Sequence, residues 1–196
     1  MREVELKAVL DSWDERRAQL IKAGGTFDFA GRLEDRRYDT NDRSLAARDI
    51  VLRLRTYRDD SGTRTELEFK GPTGYERGYK VREEVGSTVL DAESVAVMLA
   101  GLGYMVTRAI DREIEQFEIG EAMVRFERYP CMDDLVEVEG EPAALERAIA
   151  ALGIPRAAYN ADRLTDFAMR YEKRTGKRAM LSDAERSGVA TSVREL

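Results

Sequence analysis

Apolar and polar positions alternate along much of this chain with a period of two, and short segments with apolar residues three and four apart interrupt the alternation. The first pattern sends successive side chains to opposite faces of a strand; the second gathers them on one face of a helix. Val4, Leu6 and Ala8 alternate with Glu3, Glu5 and Lys7, which predicts a strand over residues 2–10. Ser12 then offers a helix cap, with Glu15 three residues on and Gly24-Gly25 as the stop. Strands follow at about 34–40, 49–58, 63–70 and 79–86, with Asp59-Asp60-Ser61-Gly62 as turn chemistry between the middle two. A second helix is predicted from Asp91 to about Leu102, then strands near 104–111, 113–119, 122–128 and 134–139. Glu141-Pro142 opens a third helix that Gly153 closes, and Leu164, Phe167, Ala168 and Tyr171 recur at helical spacing over 162–175. Residues 1–175 thus read as one domain, and 176–196, poor in large apolar residues, as a mobile tail.

The polar side of these strands carries charge in rows. Arg53 and Arg55 share a face opposite Leu52 and Leu54; Glu66, Glu68 and Lys70 share another, and Arg82 pairs with Glu84. In the second half the rows are Arg108 and Arg112, Arg125 and Glu127, and Glu137 and Glu139. Taken alone, the Glu3-x-Glu5-x-Lys7 triplet reads first as a solvated strand face. If the strands close into a barrel, however, the rows converge on one lumen, where bases can hold phosphate oxygens and acids a hard cation. Charges facing a wet lumen are expected to add little to stability.

Composition narrows the chemistry. The 196 residues contain no histidine and one cysteine, Cys131, which removes Ser-His-Asp and Cys-His catalysis, His-ligated zinc and an internal disulfide. A bound metal must therefore sit on oxygen. The net charge of -6 argues against a nucleic-acid partner held by bulk attraction, while 36% charged residues leave room for a local cationic site. No apolar stretch is long enough to span a membrane, and a cytoplasmic protein is the expectation. Trp13 reads as a helix-to-sheet packing residue. The glycine-rich run 71–78 reads as a loop able to cover one mouth of a tunnel.

The ordered set of motifs resembles a known family. Glu3-x-Glu5-x-Lys7 is similar to the signature of CYTH domains, the triphosphate tunnel metalloenzymes that include class IV adenylyl cyclases and thiamine triphosphatases. Tyr38-Asp39-Thr40, Leu52-Arg53-Leu54-Arg55, Phe69-Lys70-Gly71-Pro72, Arg82-Glu83-Glu84 and Val136-Glu137-Val138-Glu139 continue the match in order, over about residues 2–155. The resemblance implies an α+β fold: a closed eight-stranded antiparallel β barrel, the triphosphate tunnel, with helices packed outside.

It further implies that Glu3, Glu5, Glu127, Glu137 and Glu139 hold Mg²⁺ or Mn²⁺. Lys7, Arg53, Arg55, Lys70, Arg82, Arg108 and Arg112 would hold the triphosphate, with Lys7, Arg53, Lys70 and Arg112 acting in catalysis. The partner implied is a small-molecule triphosphate, ATP or tripolyphosphate, with a homodimer left open. The chain departs from the family in two places: Glu127 stands where an aspartate is usual, and Ile114 takes one place of a basic pair whose other member is Arg112. Arg108, on the same face, is the candidate replacement; a weaker grip or a shifted register are the alternatives. The activity implied first is that of an adenylyl cyclase, then a triphosphatase, with a non-catalytic binder of nucleotide or polyphosphate as the alternative of another class.

Overall fold

The structure, a computed structural model, describes residues 2–188. The strands are β1 (Arg2–Val9), β2 (Thr26–Asp39), β3 (Val51–Asp59), β4 (Gly62–Lys70), β5 (Gly74–Glu76), β6 (Tyr79–Val89), β7 (Met105–Ile119), β8 (Ala122–Arg128) and β9 (Leu135–Gly140). The α-helices are α1 (Trp13–Lys22), α2 (Ala92–Gly101), α3 (Pro142–Leu152), α4 (Leu164–Thr175) and the one-turn α5 (Asp183–Arg186). Eight strands run antiparallel in the order β1-β9-β8-β7-β2-β3-β4-β6, and β6 returns to β1 with Glu3 opposite Arg82, which closes the barrel. The short β5 pairs with β6 outside it. This is the α+β closed barrel expected from the motifs. Among the described residues no helix is long and apolar enough to cross a membrane.

Local signals place most element ends where the sequence pattern put them. The Ser12 hydroxyl accepts from the Glu15 amide at the start of α1, and the Asp91 carboxylate accepts from the Ser94 amide at the start of α2. Proline at the first turn of α3 and Gly153 at φ 67° just beyond it bracket that helix.

Two differences concern strand length. β2 begins at Thr26, well before the expected start near 34, and β7 runs unbroken from Met105 to Ile119 where two strands were expected. The two pair along nearly their whole length, with bulges between Phe27 and Phe29 and between Arg37 and Tyr38. The bulge at Asp28 shifts the alternation by one, which hides the early part of β2 from a period-two reading, while β7 keeps regular register through Arg112. Gly31 allows the close approach there, since a Cβ at that position would lie 2.2 Å from the Arg58 carbonyl oxygen.

The core lies outside the barrel wall. Val4, Leu6, Ala8, Val124, Phe126, Val136 and Val138 point outward from β1, β8 and β9 and are buried under Leu145, Ala148, Ile149 and Leu152 of α3 and Leu20 of α1. Trp13 packs as expected, its ring 5.4 Å from that of Phe126. The polar positions of β1 are also buried, so all six residues Glu3 to Ala8 are covered on both faces.

A second cluster gathers Ile110, Tyr129 and Leu135 under Phe167 of α4 and Leu181. The chain beyond α4, expected as a tail, therefore continues along the barrel: Met180 and Cys131 exchange backbone hydrogen bonds, Asp111 N–H donates to the Leu181 carbonyl at 2.7 Å, and Ala179, Leu181 and Ser182 are buried. The remainder of that tail, 189–196, lies outside the described residues.

If Leu181 is part of the core, Leu181→Ala should cost about 2–3 kcal/mol of unfolding free energy in urea. A loss under about 0.5 kcal/mol would mean that the segment only rests on the surface.

Candidate active site

Every candidate metal- or phosphate-binding residue named from sequence lines one cavity inside the barrel. Glu3, Glu5, Lys7, Arg53, Arg55, Lys70, Arg82, Arg108, Arg112, Glu127, Glu137 and Glu139 all face a space of about 550 Å³. The cause is the strand period: alternate residues of each closed strand point inward.

At the centre lies Asp35 of β2, 1% exposed. Its Oδ1 accepts from Arg55 Nε at 2.8 Å, and its Oδ2 accepts from Arg55 Nη2 at 3.0 Å, Arg53 Nη1 at 3.3 Å and Arg112 Nη1 at 3.1 Å. Burial raises its pKa, but the three guanidinium charges outweigh that and hold it well below the usual carboxylate range. The Arg53 and Arg112 faces thus meet across one lumen.

Each arginine has a second anchor. Arg53 Nε and Nη2 donate to Glu68 Oε2 at 2.7 and 2.5 Å, and Arg112 Nε donates to Glu127 Oε1 at 2.8 Å. Tyr129 OH donates to the other Glu127 oxygen at 2.7 Å. Burial opposes ionisation of Glu68 and Glu127, yet the neighbouring arginines bring both to about 2. The expectation of weakly held charges in a wet lumen does not describe Arg53, which is 4% exposed and doubly paired.

Lysines take over on the β1 side. Lys70 Nζ donates to Glu3 Oε1 at 2.6 Å and lies 3.0 Å from Glu84 Oε2. Glu5 is held by Lys80 and, at 3.5 Å, by Lys7, while Glu137 is paired with Lys7 and with Arg125 at 3.0 Å. Arg82, which also lines the cavity, is held by backbone rather than carboxylate: its Nε donates to the Gly71 carbonyl at 2.7 Å and its Nη2 to the Asp49 carbonyl at 2.6 Å.

Two carboxyls in this region titrate high. Burial pushes Glu139 up, with the charges of Glu3 and Glu5 adding and those of Arg125 and Lys70 opposing. Burial raises Glu84 to about 7, opposed by Lys70 and reinforced by Glu3 and Glu68.

A hard divalent cation suits this end of the lumen. The donors are all carboxylate oxygens, and a cation between Glu3, Glu5 and Glu139 relieves the repulsion that raises Glu139. Among the described residues no three carboxylates are gathered into a ready chelating group, because lysines stand between them.

Ile114 departs from the inner charged row for a reason visible in the packing. It is 2% exposed against Leu33 and Tyr57, with Phe29 beside them. Arg108, in contrast, lines the charged cavity on the same strand.

Sequence reasoning passed over Asp35, Lys80 and Tyr129 and left Glu68 and Glu84 without a role. Asp35 had a signal in its alternation with Arg37 and Asp39 on one strand face, but nothing in the sequence set it opposite three arginines.

The fold is shared with known proteins. The CYTH domain family model matches residues 1–144. A protein of Vibrio parahaemolyticus described as a "putative adenylate cyclase" superposes with a TM-score of 0.71 at 21% identity, over 84% of this chain and 96% of its own. PH1819 of Pyrococcus horikoshii gives 0.71 at 20% identity, over 86% and 98%. HpAC1 of Hippeastrum, described as having a dominant triphosphatase activity, gives 0.60 at 17% identity, over 92% and 98%. At these identities the likeness is one of fold. No curated protein matches this chain.

Removing Asp35 leaves three buried guanidiniums facing one another. Asp35→Ala should lower stability by about 3–5 kcal/mol, and millimolar tripolyphosphate should restore part of the loss in thermal unfolding. An unaltered melting curve would refute the central role given to this carboxylate.

Glu84 sets a pH dependence of the opposite sign to Glu68. Its folded value of about 7 lies above the ordinary 4.5, so the folded state holds a proton that the unfolded state releases, and stability falls as pH rises through that interval. In chelator, wild type should lose on the order of 1–2 kcal/mol relative to Glu84→Gln between about pH 5 and pH 8, a figure already reduced for partial solvent contact. Parallel stability curves for the two proteins would exclude the shift.

Proposed function

The chain belongs to the CYTH domain family, and we propose that its cavity binds ATP with a divalent metal and converts it to cyclic AMP and pyrophosphate, as a class IV adenylyl cyclase does. The observation that carries this reading is one enclosed space with a row of buried arginines on one side and a lysine-studded carboxylate cluster on the other. Such a space neutralises and aligns a polyanion, which is most of what phosphoryl chemistry asks of a protein.

In this reading Lys7, Arg53, Arg55, Lys70, Arg108 and Arg112 hold the phosphate oxygens, exchanging carboxylate partners for phosphate ones. Arg82 supports the same wall from the mouth. Glu3, Glu5 and Glu139 hold Mg²⁺ or Mn²⁺, with Glu137 and Glu127 behind them, tied to Lys7 and Arg112. When bound, the metal supplies charge neutralisation and lowers the pKa of an attacking hydroxyl. The ribose 3′-oxygen forms its bond to the α-phosphorus as the bond to pyrophosphate breaks. Glu84 Oε2, beside Lys70 and with a pKa of about 7, is the carboxylate suited to take the hydroxyl proton.

A triphosphatase is the second reading, favoured by the fold shared with HpAC1. The same residues would hold the substrate, with water as the nucleophile.

Purified protein with Mg²⁺ or Mn²⁺ separates the two. Cyclic AMP and pyrophosphate from ATP are expected, and orthophosphate alone from ATP or tripolyphosphate would favour the hydrolase. Glu3→Gln and Glu5→Gln should each lower the metal-dependent rate by about 100-fold or more while leaving the far-UV spectrum unchanged. Full activity in both variants would remove them from the metal site.

A further inference from the structure

The charge that runs through this chain stops along one stretch. Residues 85–107 carry only Asp91 and Glu93, although 36% of the chain is charged. The stretch spans the end of β6, all of α2 and the start of β7. One side of α2 serves the fold: Leu99, with Val95 and Ala96, packs on Tyr38 and Leu54 on the outer wall of β2 and β3.

The other side of α2 is apolar as well. Val97 is 67% exposed and Met98 62%, with Leu90 at 103% just before the helix and Leu102 at 73% just after it. Gly101 lies four residues beyond Val97, on the same outward face, and a Cβ there would meet nothing within 4 Å. Val85 of β6, opposite Phe69 of β4, and Met105 of β7 carry the exposed apolar surface onto the strands beside the helix.

Singly exposed apolar residues are ordinary, but a patch of more than several hundred Å² marks a contact surface. Val85, Leu90, Val97, Met98, Leu102 and Met105 together leave on the order of 700 Å² open, within the roughly 600–1,000 Å² that each partner of a standard stable interface buries.

The chemistry of the patch selects what covers it. A charged partner finds almost nothing to pair with, and the carboxylate of Asp91 is already spent on capping Ser94. An anionic membrane would meet two acids and no lysine or arginine between 85 and 107, the reverse of a lipid-facing helix. A neutral apolar face does fit its own copy, since a two-fold contact sets the same patch against itself.

We propose that this face is the seat of a two-fold homodimer, with α2 of one copy packed across α2 of the other around Val97, Met98 and Gly101. Leu52 and Leu54 point toward α2 while Arg53 and Arg55 point into the lumen, so the contact leaves both lumens open. The inference is therefore independent of the triphosphate reading.

Sedimentation velocity over about 1–100 µM tests it in wild type, Val97→Glu, Gly101→Arg and, as a control elsewhere, Met169→Glu on α4. Gly101→Arg puts a cation into open space at the last turn of α2, where it favours the helix and so spares folding. Wild type and Met169→Glu should sediment at twice the chain mass above about 10 µM, and Val97→Glu and Gly101→Arg should each raise the dimer Kd about 100-fold or more. Hydrogen exchange on wild type should show amides of residues 93–102 gaining protection with concentration while those of 164–175 do not. Where a variant fails to fold by circular dichroism, that wild-type measurement decides. A wild-type monomer at about 100 µM, species growing beyond the dimer, an undiminished dimer in the folded α2 variants, or concentration-independent exchange in α2 would each overturn the proposal.

Discussion

The Asp35 carboxylate, shared among Arg53, Arg55 and Arg112, is the contact on which the inner wall of the barrel depends. Burying an ion costs several kcal/mol even after a protein relaxes around it, so an interior of this kind is tolerated only where each charge meets its opposite with good geometry. Glu68 and Glu127 extend the arrangement by taking the remaining donors of Arg53 and Arg112. The result is a set of guanidiniums held in place before any ligand arrives. In the proposed reading a polyanion replaces part of this internal neutralisation, and the protein spends little entropy in orienting the groups that receive it.

Stability has to come from the other face of the same strands. β1, β8 and β9 turn valines, leucine and phenylalanine outward under α3 and α1, and that apolar layer offsets the ionic interior. Ile114, packed on Leu33 and Tyr57, adds a smaller apolar contact inside the barrel, cross-strand from Glu127. Arg108 and Arg112 of the same strand line the charged cavity.

The charged groups also divide by environment into two kinds. Those surrounded by arginine titrate low, as Asp35, Glu68 and Glu127 do, and serve as fixed counter-charges. Glu84 and Glu139, pushed up first by burial and further by neighbouring carboxylates, titrate high and are the ones open to a proton or a cation. Environment alone separates these roles, since all but one of the five are the same amino acid.

Much of this protein was legible from its residues. Alternation of apolar and charged positions marked the strands, capping residues and glycines marked the helices, and the order of the charged motifs identified the family and a shared inward face. Those features are local, because a strand's two faces and a helix's ends are decided within a few residues. Three things were not legible: the extent of β2 and β7, which their pairing with each other decides; the docking of residues 179–182; and which acid meets which base. Glu3, Glu68 and Glu127 are alike in sequence, each a glutamate on a charged strand face. Hairpin register sets Glu68 beside Arg53 and Glu127 beside Arg112, and only closure of the barrel sets Glu3 beside Lys70. The side-chain type fixes what a residue can do, but its pKa and partner depend on a Coulomb interaction falling off with distance, and Asp35 meets Arg112, and Glu3 meets Lys70, across strands that the chain order does not place together.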